Sequence, residues 1–115
     1  MNAFEEIAYA DGDTLLTGLA LNPQGDARAA VAIFPTFMNS TPAVEAKARS
    51  LAAQGYAVLI GDFYGPDAPA DMQQAFAAMT RLRADPVAAR QRLRGTIRLL
   101  RERHPDLPHL GIGFC

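Results

Sequence analysis

Residues 56–65 read YAVLIGDFYG, five residues apolar enough to be buried on both sides, followed by a Gly61-Asp62 turn. A short unbroken apolar run of this kind, closed by turn residues, marks a strand inside a parallel sheet, where helices cover both faces. The same pattern occurs upstream in AVAIF, residues 30–34, which Pro35 closes, and downstream LGIG, residues 110–113, is read as a further short strand, β-compatible despite its glycines. Between the first two runs the sequence predicts a helix: Thr41 as N-cap, Pro42 at the first helical position, an alanine-rich span to Ala53, and Gly55 just past the end. Met72, Phe76, Met79 and Leu82 recur at helical spacing, predicting a second helix over 71–83 with that stripe packed into the core. Asp85-Pro86 starts a third, whose apolar face is Ala89, Leu93, Ile97 and Leu100.

Ahead of these, FEEIAYA and TLLTGLAL flank Asp11-Gly12-Asp13 and predict a β-hairpin, and NPQGDAR is a loop. Hairpin, strand, helix, strand, two helices, strand is an α/β order: a parallel sheet with right-handed crossovers, in one domain over 1–115.

The chain has 115 residues, half of them apolar, which suits one globular core and excludes a disordered or fibrous protein. A formal net charge of −1 leaves no whole-molecule field to draw it to nucleic acid or anionic lipid. Eight arginines do fall within residues 81–103, against Asp85 and Glu102. They are read as the solvent face of an amphipathic helix, because the stretch lacks the aromatics that stack on bases. The N-terminus is acidic where a secretory leader would be basic, and no apolar stretch approaches the roughly 18 residues that span a bilayer. A cytoplasmic protein without membrane partners is expected, and the alanine and arginine usage suggests a bacterial source. With one cysteine there is no internal disulfide. Neither a Cys/His ligand cluster nor a phosphate-cradling glycine loop is present, so no metal and no organic cofactor are expected.

In a parallel sheet, chemistry gathers outside the carboxyl ends of the strands. Cys115 lies at such an end. Gly113-Phe114-Cys115 is the first half of a Gly-x-nucleophile-x-Gly elbow, in which a sharp strand-to-helix turn exposes the nucleophile. A thiol at the positive end of a following helix ionises near neutral pH. The segment FPTFMNST, residues 34–41, follows the first parallel strand and opens on the same edge.

Together the hairpin, residues 30–65 and HLGIGFC resemble the N-terminal half of the dienelactone hydrolase family, most specifically in LAAQGYAVLIGDFYG, residues 51–65. The resemblance implies an α/β-hydrolase fold and a Cys-His-Asp triad with Cys115 as nucleophile. It also implies one oxyanion-hole donor at the Phe37 N–H and a second at the residue after the cysteine; Thr36, Met38 and Tyr64 are the substrate-binding candidates, with packing an equal reading for Met38 and Tyr64. Thr36 stands where dienelactone-cleaving members carry a glutamate beside the resting thiol, and Met72 and Phe76 align with an arginine that receives the substrate carboxylate and a nearby tyrosine. The substrate implied is a small neutral or apolar ester, lactone or thioester.

In the family the triad's His and Asp follow the nucleophile. The expected partner is therefore the remainder of the same domain, and 115 residues alone are expected to be inactive. His104, at the end of the third helix, and His109, at the strand edge opposite the thiol, are read as structural, and Asp62 as a turn-former. The alternative is a non-catalytic α/β module that binds a small molecule or another chain.

Overall fold

The computed structural model describes residues 3–114. A two-residue turn closes the hairpin of β1 (Glu5–Asp11) and β2 (Thr14–Leu21), with Asp11 paired to Thr14. Gly12 takes φ 58° at the first central position, the conformation a primed hairpin turn demands there and glycine supplies without strain. β3 (Ala29–Phe34) and β4 (Tyr56–Ile60) are the two buried runs, and β5 (His109–Gly113) is the last strand among the described residues. The sheet runs β1-β2-β4-β3-β5. β2 pairs antiparallel with β4, while β4 and β5 both pair parallel with β3.

Helices cover the two faces of β3 and β4 as their pattern requires, whereas β5 is largely exposed. α1 (Pro42–Ala53) begins where the Thr41 hydroxyl accepts from the Val44 N–H, and the chain leaves it through Gly55 at φ 100°. Its Val44, Ala48 and Ala52 pack against Val31, Ile33, Val58 and Ile60. The alternate residues of the same strands, Ala30, Ala32 and Leu59, face Leu100 of α3 (Pro86–Arg103). Alternation on a pleated strand sends the branched side chains to one helix and mainly alanines to the other, which lets α3 approach closely.

α2 (Met72–Arg83) departs from expectation. It buries Ala75 and Ala78, whereas Met72 and Phe76 are 59% and 63% exposed. The stripe of large apolar residues marks the flank of the helix, and the small residues beside it make the packed face. On α3 the apolar face is found as expected, and Arg90, Arg94, Arg98 and Arg101 are exposed. Arg92 and Arg103 instead pair with Asp11 and Glu5 of the hairpin. No helix among the described residues is long and apolar enough to cross a membrane.

Candidate functional site

Because β3, β4 and β5 are parallel, their carboxyl ends open on one edge. Three segments meet there: the turn after β3, the loop after β4, and Phe114 after β5. The first is tied by its own residues. The Asn39 N–H donates to the Thr36 carbonyl at 2.8 Å, and Asn39 sits at φ 67°, a left-handed conformation that asparagine tolerates better than most residues. The Thr36 hydroxyl accepts from the Met38 N–H and donates to the Asn39 carbonyl. Across a trans peptide the C=O and N–H point in opposite directions. With the Thr36 carbonyl turned inward to Asn39, the Phe37 N–H is turned outward.

Asp62 anchors this turn to the rest of the edge. Its carboxylate accepts from the Thr17 N–H at 2.9 Å, the Asn39 amide at 2.8 Å, and the Tyr64 and Gly65 N–H groups at 3.0 Å each. Burial pushes the Asp62 carboxyl upward, but these four donors together outweigh it and hold it below its ordinary range. Asn39 completes the link by accepting from the Phe63 N–H at 2.9 Å. Tyr64 closes a second link, its hydroxyl donating to the Phe37 carbonyl at 2.7 Å. Burial raises the pKa of this phenol, so it remains a donor at neutral pH.

A third set of contacts supports the β4 loop from beneath. The Asp62 N–H donates to the Tyr9 hydroxyl, which lies 3.1 Å from the Thr96 hydroxyl. Arg92 bridges the Asp11 carboxylate and the Phe63 carbonyl.

Between these segments and the helices lies a cavity of about 230 Å3. Phe37, Phe63, Tyr64 and Phe114 form its aromatic wall, and Met79, Leu82 and Leu93 close it from α2 and α3. Larger hollows exist, one of about 390 Å3 beside Arg49 and Gly55. That one lies at the amino ends of the parallel strands, another of about 480 Å3 lies along Arg94 and Arg98 of α3, and one of about 240 Å3 shares Phe63 and Tyr64 but runs toward Arg81 and Arg92. The cavity lined by Phe37 and Phe114, where the turn after β3 meets the end of β5, is the candidate site.

Of the residues singled out in the sequence, Phe37 and Tyr64 line this cavity, while Thr36 and Met38 serve the turn behind it. Cys115 lies outside the described residues. His104 caps the carboxyl end of α3, where burial and then the Arg103 and His109 charges lower its pKa. The His109 Nε2 lies 2.8 Å from the His104 carbonyl oxygen. Both histidines stand at the amino end of β5, the opposite edge. Asn39 and Arg92 were not singled out. Asn39 had a local signal in its position after an apolar strand and Pro35; Arg92 had none to separate it from its neighbours on α3.

This mixed sheet, entered through an antiparallel hairpin and covered by helices on both faces, has the α/β-hydrolase fold, and solved structures place it there. The chain aligns with m3DLH at TM-score 0.84 and 31% identity, over 97% of this chain and 49% of that one. A dienelactone hydrolase-like promiscuous phosphotriesterase from metagenomic libraries aligns at TM-score 0.87 and 24% identity, covering 98% of this chain and 49% of its own. The dienelactone hydrolase from Anabaena variabilis aligns at TM-score 0.72 and 20% identity, over 97% and 51%. The chain thus spans about half the length of these structures. Among curated proteins no sequence matches it. The family model described as the dienelactone hydrolase family matches residues 16–115, and the chain belongs to that family.

Proposed function

We propose that this chain contributes the nucleophile and one oxyanion donor to a hydrolase that cleaves a small ester, lactone or thioester through a cysteine acyl-enzyme. The observation that carries the reading is the register of β5. Gly113 pairs with Phe34, and the Phe114 N–H donates to the Phe34 carbonyl at 3.1 Å, so the strand leads its last residues to the start of the Thr36–Asn39 turn. Cys115 follows directly in sequence.

In the proposed reaction the Cys115 thiolate attacks the substrate carbonyl carbon, and the C–S bond forms as the carbonyl oxygen becomes an oxyanion. The outward Phe37 N–H is one donor for that charge. Collapse breaks the bond to the alcohol or thiol, which takes a proton from the general acid, and water then hydrolyses the thioester and restores the thiol. The acid-base residue is a histidine from a further segment of the domain, since His104 and His109 stand at the wrong edge. Thr36 has no carboxylate, and its hydroxyl is committed within the turn. The resting thiolate therefore has no acidic partner at this position.

The test uses full-length protein with p-nitrophenyl acetate. Turnover with an acyl adduct on Cys115 by mass spectrometry, both abolished in Cys115→Ala, is the expected result. Hydrolysis at an undiminished rate in that variant would place the nucleophile elsewhere. Ligand binding without any turnover would favour the non-catalytic module.

A further inference from the structure

We infer that the substrate carries an uncharged apolar group, an aryl ring or a medium-length alkyl chain, which fills the cavity and continues along Met72 and Phe76 of α2. The inference rests on the hydrolase reading above and extends it to a substrate class.

Apart from the Phe37 N–H, which the proposed reaction leaves for the oxyanion, the buried polar groups beside the cavity are already engaged. Tyr64 donates to the Phe37 carbonyl, both ends of the Asn39 amide are paired, and Arg92 holds Asp11 and the Phe63 carbonyl. A charged or strongly polar substituent entering here would shed its water and find no partner, whereas an apolar one gains by leaving water. Arg83 reaches the rim but is exposed, so its stem can line the wall while its guanidinium stays in solvent. At about 230 Å3 the space exceeds the roughly 150 Å3 apolar cavity that accepts benzene.

The stripe on α2 continues this surface outward. At 3.6 residues per turn, Met72, Phe76, Met79 and Arg83 fall within about 60° of one another around the helix. Met79 and Arg83 line the cavity, and Met72 and Phe76 extend the same face beyond it, largely exposed. A chain too long for the cavity meets apolar surface at the mouth instead of water.

The experiment measures kcat/KM of the full-length protein for p-nitrophenyl acetate, butyrate and octanoate, in wild type and Phe76→Gln. Since a fully buried methylene contributes about threefold to fourfold, octanoate should exceed acetate by at least about tenfold. Phe76→Gln should lower the octanoate-to-acetate ratio by about fivefold. A ratio that does not rise with length, or that Phe76→Gln leaves unchanged, overturns the inference; if Cys115→Ala still abolishes acetate hydrolysis in that case, the hydrolase reading stands without it. Should no ester turn over, calorimetric binding of methyl octyl ketone decides. Binding weakened by Phe76→Gln supports the apolar site, and either no binding or indifference to the substitution overturns it. Loss of folding stability in Phe76→Gln together with an unchanged ratio would show that the stripe is covered by another part of the protein, which also overturns it.

Discussion

The Tyr64 hydroxyl donates to the Phe37 carbonyl at 2.7 Å, so a buried phenol from the loop after β4 holds the turn after β3 at Phe37, beside the Asn39 links to Asp62 and Phe63. In the proposed reaction this bond fixes the segment whose outward N–H faces the developing oxyanion. Tyr64→Phe keeps the ring and removes the bond. Steady-state kinetics on full-length protein should show kcat falling about fivefold to tenfold with KM within about twofold, because a mobile donor costs transition-state stabilisation more than ground-state binding. A change confined to KM would instead make Tyr64 a substrate contact.

Asp62 predicts an acid limb in stability. Its folded pKa lies below its ordinary value, so its contribution is complete above the unfolded pKa and drains away as pH falls through the folded one. Urea unfolding should therefore give a plateau down to about pH 5 and a decline below about pH 4, where the unfolded carboxyl begins to take up its proton. In Asp62→Asn the plateau should drop by about 1–3 kcal/mol and the decline should flatten, since a neutral amide accepts more weakly and has no proton to gain. An unchanged acid limb would assign the effect to other carboxylates.

Arg92 and Asp11 form an ion pair whose side chains are only 15% and 17% exposed. That pair is better shielded than a surface pair and has a structural third partner in the Phe63 carbonyl. Arg92→Ala should destabilise by about 2–3 kcal/mol and Arg92→Lys by less, because lysine restores the charge without the forked donor. A double-mutant cycle with Asp11→Asn should give a coupling of at least about 1 kcal/mol. Additive losses would reduce the pair to an incidental contact.

A β-carbon added at Gly61 would meet the Thr96 hydroxyl oxygen at 2.6 Å and its methyl at 3.1 Å. Gly61→Ala should cost about 1–3 kcal/mol as an overpacked contact. In a Thr96→Ala background both obstructing atoms are gone, so the added cost should shrink to about half or less. Equal costs in the two backgrounds would locate the penalty in the backbone.

Every strand and α-helix of the described chain was legible, because each carries local signals: Gly12 in the hairpin turn, Thr41 and Pro42 at the start of α1, Asp85 and Pro86 at the start of α3. The short 3-10 helix at Gly65–Asp67 reads in the sequence only as loop. The solvent face of α3 was legible too, from the same periodicity that marked its apolar side. On α2 that reasoning failed. Periodicity identifies a continuous stripe but does not say whether it is covered, and the alanines that bring the helix close to its neighbours carry little hydrophobic weight in the sequence. The edge of the sheet was readable as a location, since parallel strands converge there, and Asp62 as a turn residue. The partnerships within it were not. Asn39 with Asp62, Tyr9 with Thr96, and Arg92 with Asp11 join residues far apart in the chain, and only the completed topology sets their distances.

β5 joins the sheet by pairing His109 with Ala30, across about eighty residues of chain. Closing so long a loop is slow, whereas the hairpin and the β3-α1-β4 unit assemble from near neighbours. During synthesis the flank of β3 that receives β5 thus waits, unpaired, until both later helices have emerged. Among the described strands β5 is the last to join, so this edge of the sheet forms only after the hairpin and the β3-α1-β4 unit are in place.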